Sequence, residues 1–209
     1  MVLSYHKRAT VKVAQGDFVL AFNPISRNSD AKPSKFGADI VFVSMDHPDA
    51  NGVENATYGD RAPFVIDGPG EYEVSGVFVK GIPTVVGDAA GAQTNTVFVA
   101  RLDDISLCHL GFLRSKDEIT AAVREQIGQV DVVFILIAGP DALPPADAHK
   151  VATMLEPTYI VPLYDGNEDA LKKFLKAEGV VESETVEKLT IKKKDVGSGT
   201  GIISVLKPQ

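Results

Sequence analysis

Asp46, His47 and Asp49 stand almost side by side in the stretch Ser44-Met45-Asp46-His47-Pro48-Asp49-Ala50-Asn51. An imidazole beside two carboxylates supplies the donor types that bind divalent metals and that activate water. They do not suffice alone. A metal centre needs several such ligands converging within bonding distance, and a general base acting on water needs an activating partner. The plainer reading makes Asp49 a cap for backbone N–H groups near Asn51 and Gly52, with His47 simply hydrogen-bonded. Cys108-His109 is a second candidate, as a nucleophile and its base. Neighbours on a strand point to opposite faces, so a structural cysteine is expected instead. His149 sits on an expected helix and is read as solvent-facing. Gly68-Pro69-Gly70 and Gly197-Ser198-Gly199 match neither a P-loop nor a dinucleotide fingerprint and read as turns.

These groups must be positioned by strands. The loop that carries His47 follows the apolar run 40–43, a short continuous run typical of a strand buried on both faces. Residues 9–14 and 18–22 flank Gln15-Gly16-Asp17 and read as a hairpin. Further strands are expected at 63–66, 72–74 and 77–82, and at 95–102 paired with 105–110 across Asp103-Asp104. Helices enter later. Ser115 with Glu118 forms a capping box, and Ile119, Val123 and Ile127 repeat every four residues up to Gly128. Residues 130–137 read as a buried strand. Pro144-Pro145 opens a second helix, 159–163 is a strand, and Asn167 caps a third helix closed by Gly179. Strands at 189–193 and 201–206 complete the reading. Strands early and strand–helix alternation late suit two sheets with helices outside them. No repeat or long linker divides the chain, which is read as one domain over 1–209.

Bulk composition narrows the classes of function. The chain has 209 residues, 44% hydrophobic and 23% charged, with a formal net charge of −7. That balance does not invite nucleic acid, which requires a basic face. Lys192-Lys193-Lys194 is read as a solvated strand end. No segment has the length and apolarity of a membrane span, and residues 1–12 carry no apolar leader core. With a single cysteine, Cys108, no intrachain disulfide can form. Together these features predict a cytoplasmic protein.

An ordered set of fragments resembles the metallo-β-lactamase superfamily, in the branch of ascorbate-6-phosphate-lactonase-like and related Zn-dependent hydrolase proteins. Ala21-Phe22-Asn23-Pro24 is similar to the early strand-end motif, and residues 38–51 to the strand and H-x-H-x-D-H metal loop. Gly68-Pro69-Gly70-Glu71-Tyr72-Glu73-Val74 is similar to a P-G-E-Y-E-V segment. Gly81-Ile82-Pro83-Thr84, Asn95-Thr96, Cys108-His109-Leu110-Gly111, Val130-Asp131-Val132-Val133, Leu155-Glu156-Pro157, Ile160-Val161-Pro162 and Lys188-Leu189-Thr190-Ile191 follow in the family's order. The resemblance covers essentially the whole chain. It implies a four-layer αββα sandwich, with the active site on loops at one edge.

The ligand positions depart from that pattern. Under the resemblance, the aspartate of the early motif is Asn23, and the first and third histidines of the loop are Met45 and Ala50. The next histidine falls at Val85-Val86, the bridging aspartate at Phe112 and the last histidine at Tyr164. His47 and Asp49 remain, and Asp49 is the one candidate catalytic group. His6 falls where the family often carries a G-H-S turn. The resemblance thus implies a degenerate member without zinc hydrolase activity: a binding or assembly module with no cofactor. Its cleft, lined by Met45, Ala50, Val86, Phe112 and Tyr164, would take a small ligand or a second subunit, and a homodimer is expected. The alternative is a hydrolase of phosphoesters or lactones with a remodelled, oxygen-rich site. There Asp46, His47, Asp49, Asp88 and Asp165 would hold magnesium, manganese, calcium or zinc.

Overall fold

The computed structural model describes residues 1–60, 62–87, 91–181, 183–197 and 201–209. In chain order the strands are β1 (Val2–Tyr5), β2 (Val11–Gln15), β3 (Phe18–Phe22), β4 (Ile40–Phe42), β5 (Phe64–Ile66), β6 (Gly70–Val74), β7 (Val77–Val86), β8 (Gln93–Leu102), β9 (Ile105–His109), β10 (Val132–Leu136), β11 (Tyr159–Leu163), β12 (Thr185–Val186), β13 (Leu189–Thr190), β14 (Ile202–Ile203) and β15 (Val205–Leu206). The helices are α1 (Ala121–Ile127), α2 (Pro145–Leu155) and α3 (Glu168–Ala177). One sheet has the order β13-β1-β2-β3-β4-β5 and the other β14-β11-β10-β9-β8-β7-β6, while β12 and β15 pair separately. Each large sheet mixes antiparallel hairpins with parallel pairs: β3-β4-β5 in the first, β9-β10-β11-β14 in the second.

The two apolar runs form strands β4 and β10, which are buried throughout. Side chains alternate along β4, so Ile40 and Phe42 face the inter-sheet core while Val41 packs with Ala21, Ala38, Val43 and Ala56 on the other side. That outer face is covered by residues 36–38 and the 3-10 turn Val53–Asn55. The α-helices belong to the second sheet's side. Between the sheets, Phe22 stacks on Phe42 at 4.4 Å between ring centroids and on His109 at 5.4 Å, and Phe42 meets Phe98 at 5.3 Å. Each buried aromatic of this kind contributes about 2–3 kcal/mol from area alone.

Local chemistry explains where elements differ from the sequence reading. β1 was not anticipated, because four residues carry no period long enough to read. It is placed by pairing with β2 and β13. Ser115 and Glu118 do form a capping box, but on a 3-10 turn, Lys116–Glu118. The backbone leaves helical geometry at Ile119, and α1 starts anew with the Thr120 hydroxyl accepting from the Val123 N–H at 3.3 Å. Strand β13 stops at Thr190, and the lysines beyond it enter another 3-10 turn, Lys193–Asp195, instead of extending the strand. His149 is half-buried against Glu178, with Nδ1 and Oε1 3.1 Å apart, and does not simply face solvent. The Gly197–Gly199 turn lies partly outside the described residues.

Candidate site at the strand ends

The loops that follow β4, β9, β10 and β11 meet at one end of the sandwich, beside the tip of the β1–β2 hairpin. Two buried asparagines hold these loops. Asn23, left-handed at φ 47°, accepts the Ser44 N–H on Oδ1 at 2.8 Å, and its carbonyl accepts the Thr10 hydroxyl at 2.6 Å. Asn95 donates to the Leu110 carbonyl at 3.0 Å and to Thr84 Oγ1 at 2.9 Å, and accepts the Phe112 N–H at 2.9 Å. Gly111 crosses above it with φ 68°, where a Cβ would lie 2.1 Å from Asn95 Oδ1, so only glycine fits. His109 donates from Nε2 to the Ala9 carbonyl at 2.9 Å, because its Nδ1 accepts the Gly111 N–H at 3.0 Å. Burial lowers its pKa to about 4, so it is a neutral structural imidazole. Burial likewise pushes the Cys108 thiol up to about 12, far from a reactive thiolate.

The residues at the ligand positions divide into two groups. Met45, Ala50, Val86, Phe112 and Tyr164 are all buried members of the main hydrophobic core. A cavity of about 20 Å³ lies beside Phe112, lined also by Arg8, Asp49, Leu136 and Asp141. That is room for about one water. The polar positions lie at the mouth. His47 packs 5.4 Å from the Phe112 ring and accepts the Asp49 N–H on Nδ1 at 3.1 Å. Its Nε2 faces Asp141 at 3.8 Å, and Asp141 is held by Arg114 at 2.7 Å. Asp46 is exposed and accepts from Asn51 at 2.7 Å. Asp88 lies outside the described residues.

Asp49 does not cap the loop. The Asn51 N–H is taken by the His47 carbonyl and the Gly52 N–H by the Pro24 carbonyl. Its carboxylate instead accepts the Ser29 hydroxyl and faces the Arg8 guanidinium, Nε to Oδ2 at 3.3 Å. That contact is an ion pair without hydrogen-bond alignment, since Arg8 Nε has no hydrogen-bond partner. Arg8 also reaches Asp165, Nη1 to Oδ2 at 2.9 Å, and Asp30, Nη2 to Oδ1 at 2.7 Å. The Arg8 main-chain N–H adds a bond to Asp165 Oδ1 at 3.0 Å. Tyr5 closes the arrangement, donating its hydroxyl to the Arg8 carbonyl at 2.9 Å and accepting the Asp165 N–H at 2.8 Å. Burial works against the guanidinium's charge, but Asp30, Asp165 and Asp49 outweigh it and raise the Arg8 pKa further. Burial and the Asp165 charge raise Tyr5 well above the usual phenol value.

Arg8 was missed in the sequence. It lies more than 150 positions from Asp165, and side-chain direction at a hairpin tip cannot be read from spacing. The available signal was a basic pair, Lys7-Arg8, just before the expected strand at 9–14. His6, at the position of the family's G-H-S turn, is buried, with Nε2 2.9 Å from Ser4 Oγ and its ring against Phe36.

Residues 2–164 match the family described as the β-lactamase superfamily domain. The chain belongs to the metallo-β-lactamase superfamily. Among solved structures of the superfamily's fold, a Thermotoga maritima protein assigned to its Zn-dependent hydrolases is 25% identical, with 100% of this chain and 99% of that chain aligned at a TM-score of 0.74. A metallo hydrolase of the archaeon Ignicoccus hospitalis aligns over 91% of this chain and 99% of its own at 13% identity and a TM-score of 0.62. An isothiocyanate hydrolase from Delia radicum gut bacteria aligns over the same shares at 12% identity and a TM-score of 0.63. Among curated proteins none matches significantly.

A zinc centre of the superfamily's kind needs three or four nitrogen, sulfur or oxygen ligands around one point. Among the described residues no three His, Cys, Asp or Glu side chains are grouped to hold a metal. The core groups at positions 45, 50, 86 and 112 are thioether, methyl, isopropyl and phenyl, and Asp49 and Asp165 already face a guanidinium. This donor set does not fit zinc.

Proposed function

We propose that this superfamily member is a non-catalytic binding or assembly module built on a hydrolase scaffold. The observation that carries the reading is the fate of Asp49. The one residue placed to orient an attacking water is held instead by the Ser29 hydroxyl and the Arg8 guanidinium. One oxygen of that carboxylate accepts the Ser29 hydroxyl and the other faces a guanidinium, so the group is engaged in holding its own loop. The single cysteine, with its thiol buried and unpaired to any other, supports a cytoplasmic setting. A second copy of the chain is the proposed partner, because symmetric dimers are the commonest closed assembly.

The test is a hydrolase screen over lactones, phosphodiesters and β-lactams, run with added zinc or manganese and with chelator. No turnover above the uncatalysed rate is expected. Chelator-sensitive turnover abolished by Asp49→Ala and His47→Ala would overturn the proposal and favour the remodelled hydrolase. Light scattering at tens of micromolar (roughly the range in which a weak symmetric dimer forms) tests the partner, and a monomer would refute it.

A further inference from the structure

We propose that the Arg8 guanidinium is the built-in cation of this site, tying together loops that a bound metal would otherwise tie. The inference rests on the mismatch between the superfamily's metal chemistry and the residues present. Arg8 lines the same small cavity as Asp49 and Phe112, two of the ligand positions. Its side chain touches three carboxylates from three separate segments: Asp30, Asp49 on the β4 loop, and Asp165 just beyond β11. The contacts are unequal. Asp30 is 86% exposed and adds little, whereas Asp49 and Asp165 are 17% and 20% exposed and would repel each other without the cation between them.

The backbone is bent to deliver the group. Lys7, Arg8 and Asp165 all have left-handed φ values, at 66°, 46° and 49°. Such geometry is unfavourable for residues with a Cβ and persists where surrounding contacts fix it. Here the fixing contacts are the Arg8–Asp165 pair, made by both side chain and main-chain N–H, and the Tyr5 hydroxyl between the two backbones. A guanidinium suits the task better than an ammonium. Its planar fork reaches several acceptors at once, and its charge persists at any working pH.

Hydrogen exchange with mass spectrometry tests the clamp on the intact protein. The reporting amides are those of Ala50, Asn51 and Asn167, bonded to carbonyls of the two loops, and that of Asp165, bonded to the Tyr5 hydroxyl. Arg8→Ala is expected to speed their exchange by at least about tenfold, while the amides of β8 and β10 stay protected. Arg8→Lys should recover only part of the protection. Adding Asp49→Asn and Asp165→Asn to Arg8→Ala should slow exchange again, because the uncompensated charges are gone. Chelator should leave the wild type unchanged. Should Arg8→Ala fail to fold, Arg8→Lys and Asp165→Asn carry the same comparison. Unchanged loop exchange in the variants, an equal rise throughout β8 and β10, or acceleration by chelator would overturn the clamp. The proposal rests on the non-catalytic reading but fails separately from it. Chelator-sensitive turnover with intact Arg8-dependent protection would sink only the function, and the reverse result only the clamp.

Discussion

Within the single loop after β4, the inner and outer positions are stabilised by different forces. Met45 and Ala50 point inward and have joined the apolar core between the sheets. His47 and Asp49 point to the mouth and are held by Asp141, Arg114, Ser29 and Arg8. The inner half is therefore governed by packing, which tolerates neither added volume nor an unpaired polar group. The outer half is governed by charge balance, which depends on which cation is present. The same stretch of chain should answer mutation in two distinct ways, and that difference separates a filled site from an empty one.

The largest effect is expected at the inner positions and the asparagines behind them. Ala50→His forces a polar ring into a fully buried methyl site and should cost about 3 kcal/mol or more in urea unfolding. Asn95→Ala strands the Phe112 N–H and the Leu110 carbonyl and should cost a similar amount, roughly 3 kcal/mol. If Ala50→His were neutral, the inner half would not be packed as described.

Acid should come next. His6 and His109 are buried, and burial lowers both from 6.5 to about 4. For His6 the positive charges of Lys12 and Lys188 add to the shift. Between those values the unfolded chain binds protons that the native fold refuses, so stability is complete above about pH 6.5 and falls as the pH drops towards 4. Each histidine can contribute up to roughly 3 kcal/mol to that loss. Equilibrium unfolding at steps from pH 7 to 4 measures the slope, and replacing His109 with Gln should flatten it. A flat profile in the wild type would mean that neither imidazole is buried neutral.

At the mouth the effects should be smaller and dependent on salt. Arg8→Ala leaves two half-buried carboxylates without their cation and should cost about 2 kcal/mol, less than for a fully buried pair because solvent screens them. Asp46→Asn alters one exposed contact and should move stability by less than about 0.5 kcal/mol. Equal losses at Asp46 and Arg8 would erase the distinction between a clamp and ordinary surface charge.

The same division governs what could be read from sequence. The apolar runs of β4 and β10, the hairpin across Asp103-Asp104 and the Asn167 cap follow from local patterning, and all are present. Ser115 misled because a capping box marks a helical start without fixing how long the helix runs. Motif positions located Asn23, Met45, His47, Asp49, Ala50, Val86, Phe112 and Tyr164. They could not show that the apolar members would be absorbed into the core instead of lining an open cleft, since that depends on how closely two sheets approach. Arg8 and Asn95 act through contacts distant in sequence, and no periodicity carries such information.

Metal content tests the central claim most directly. Protein purified without chelator should carry far less than one equivalent of zinc, manganese or iron by elemental analysis, and added zinc should not raise its melting temperature. Close to one equivalent of a bound metal that chelator removes, with a fall in melting temperature on removal, would contradict the assignment of that role to Arg8.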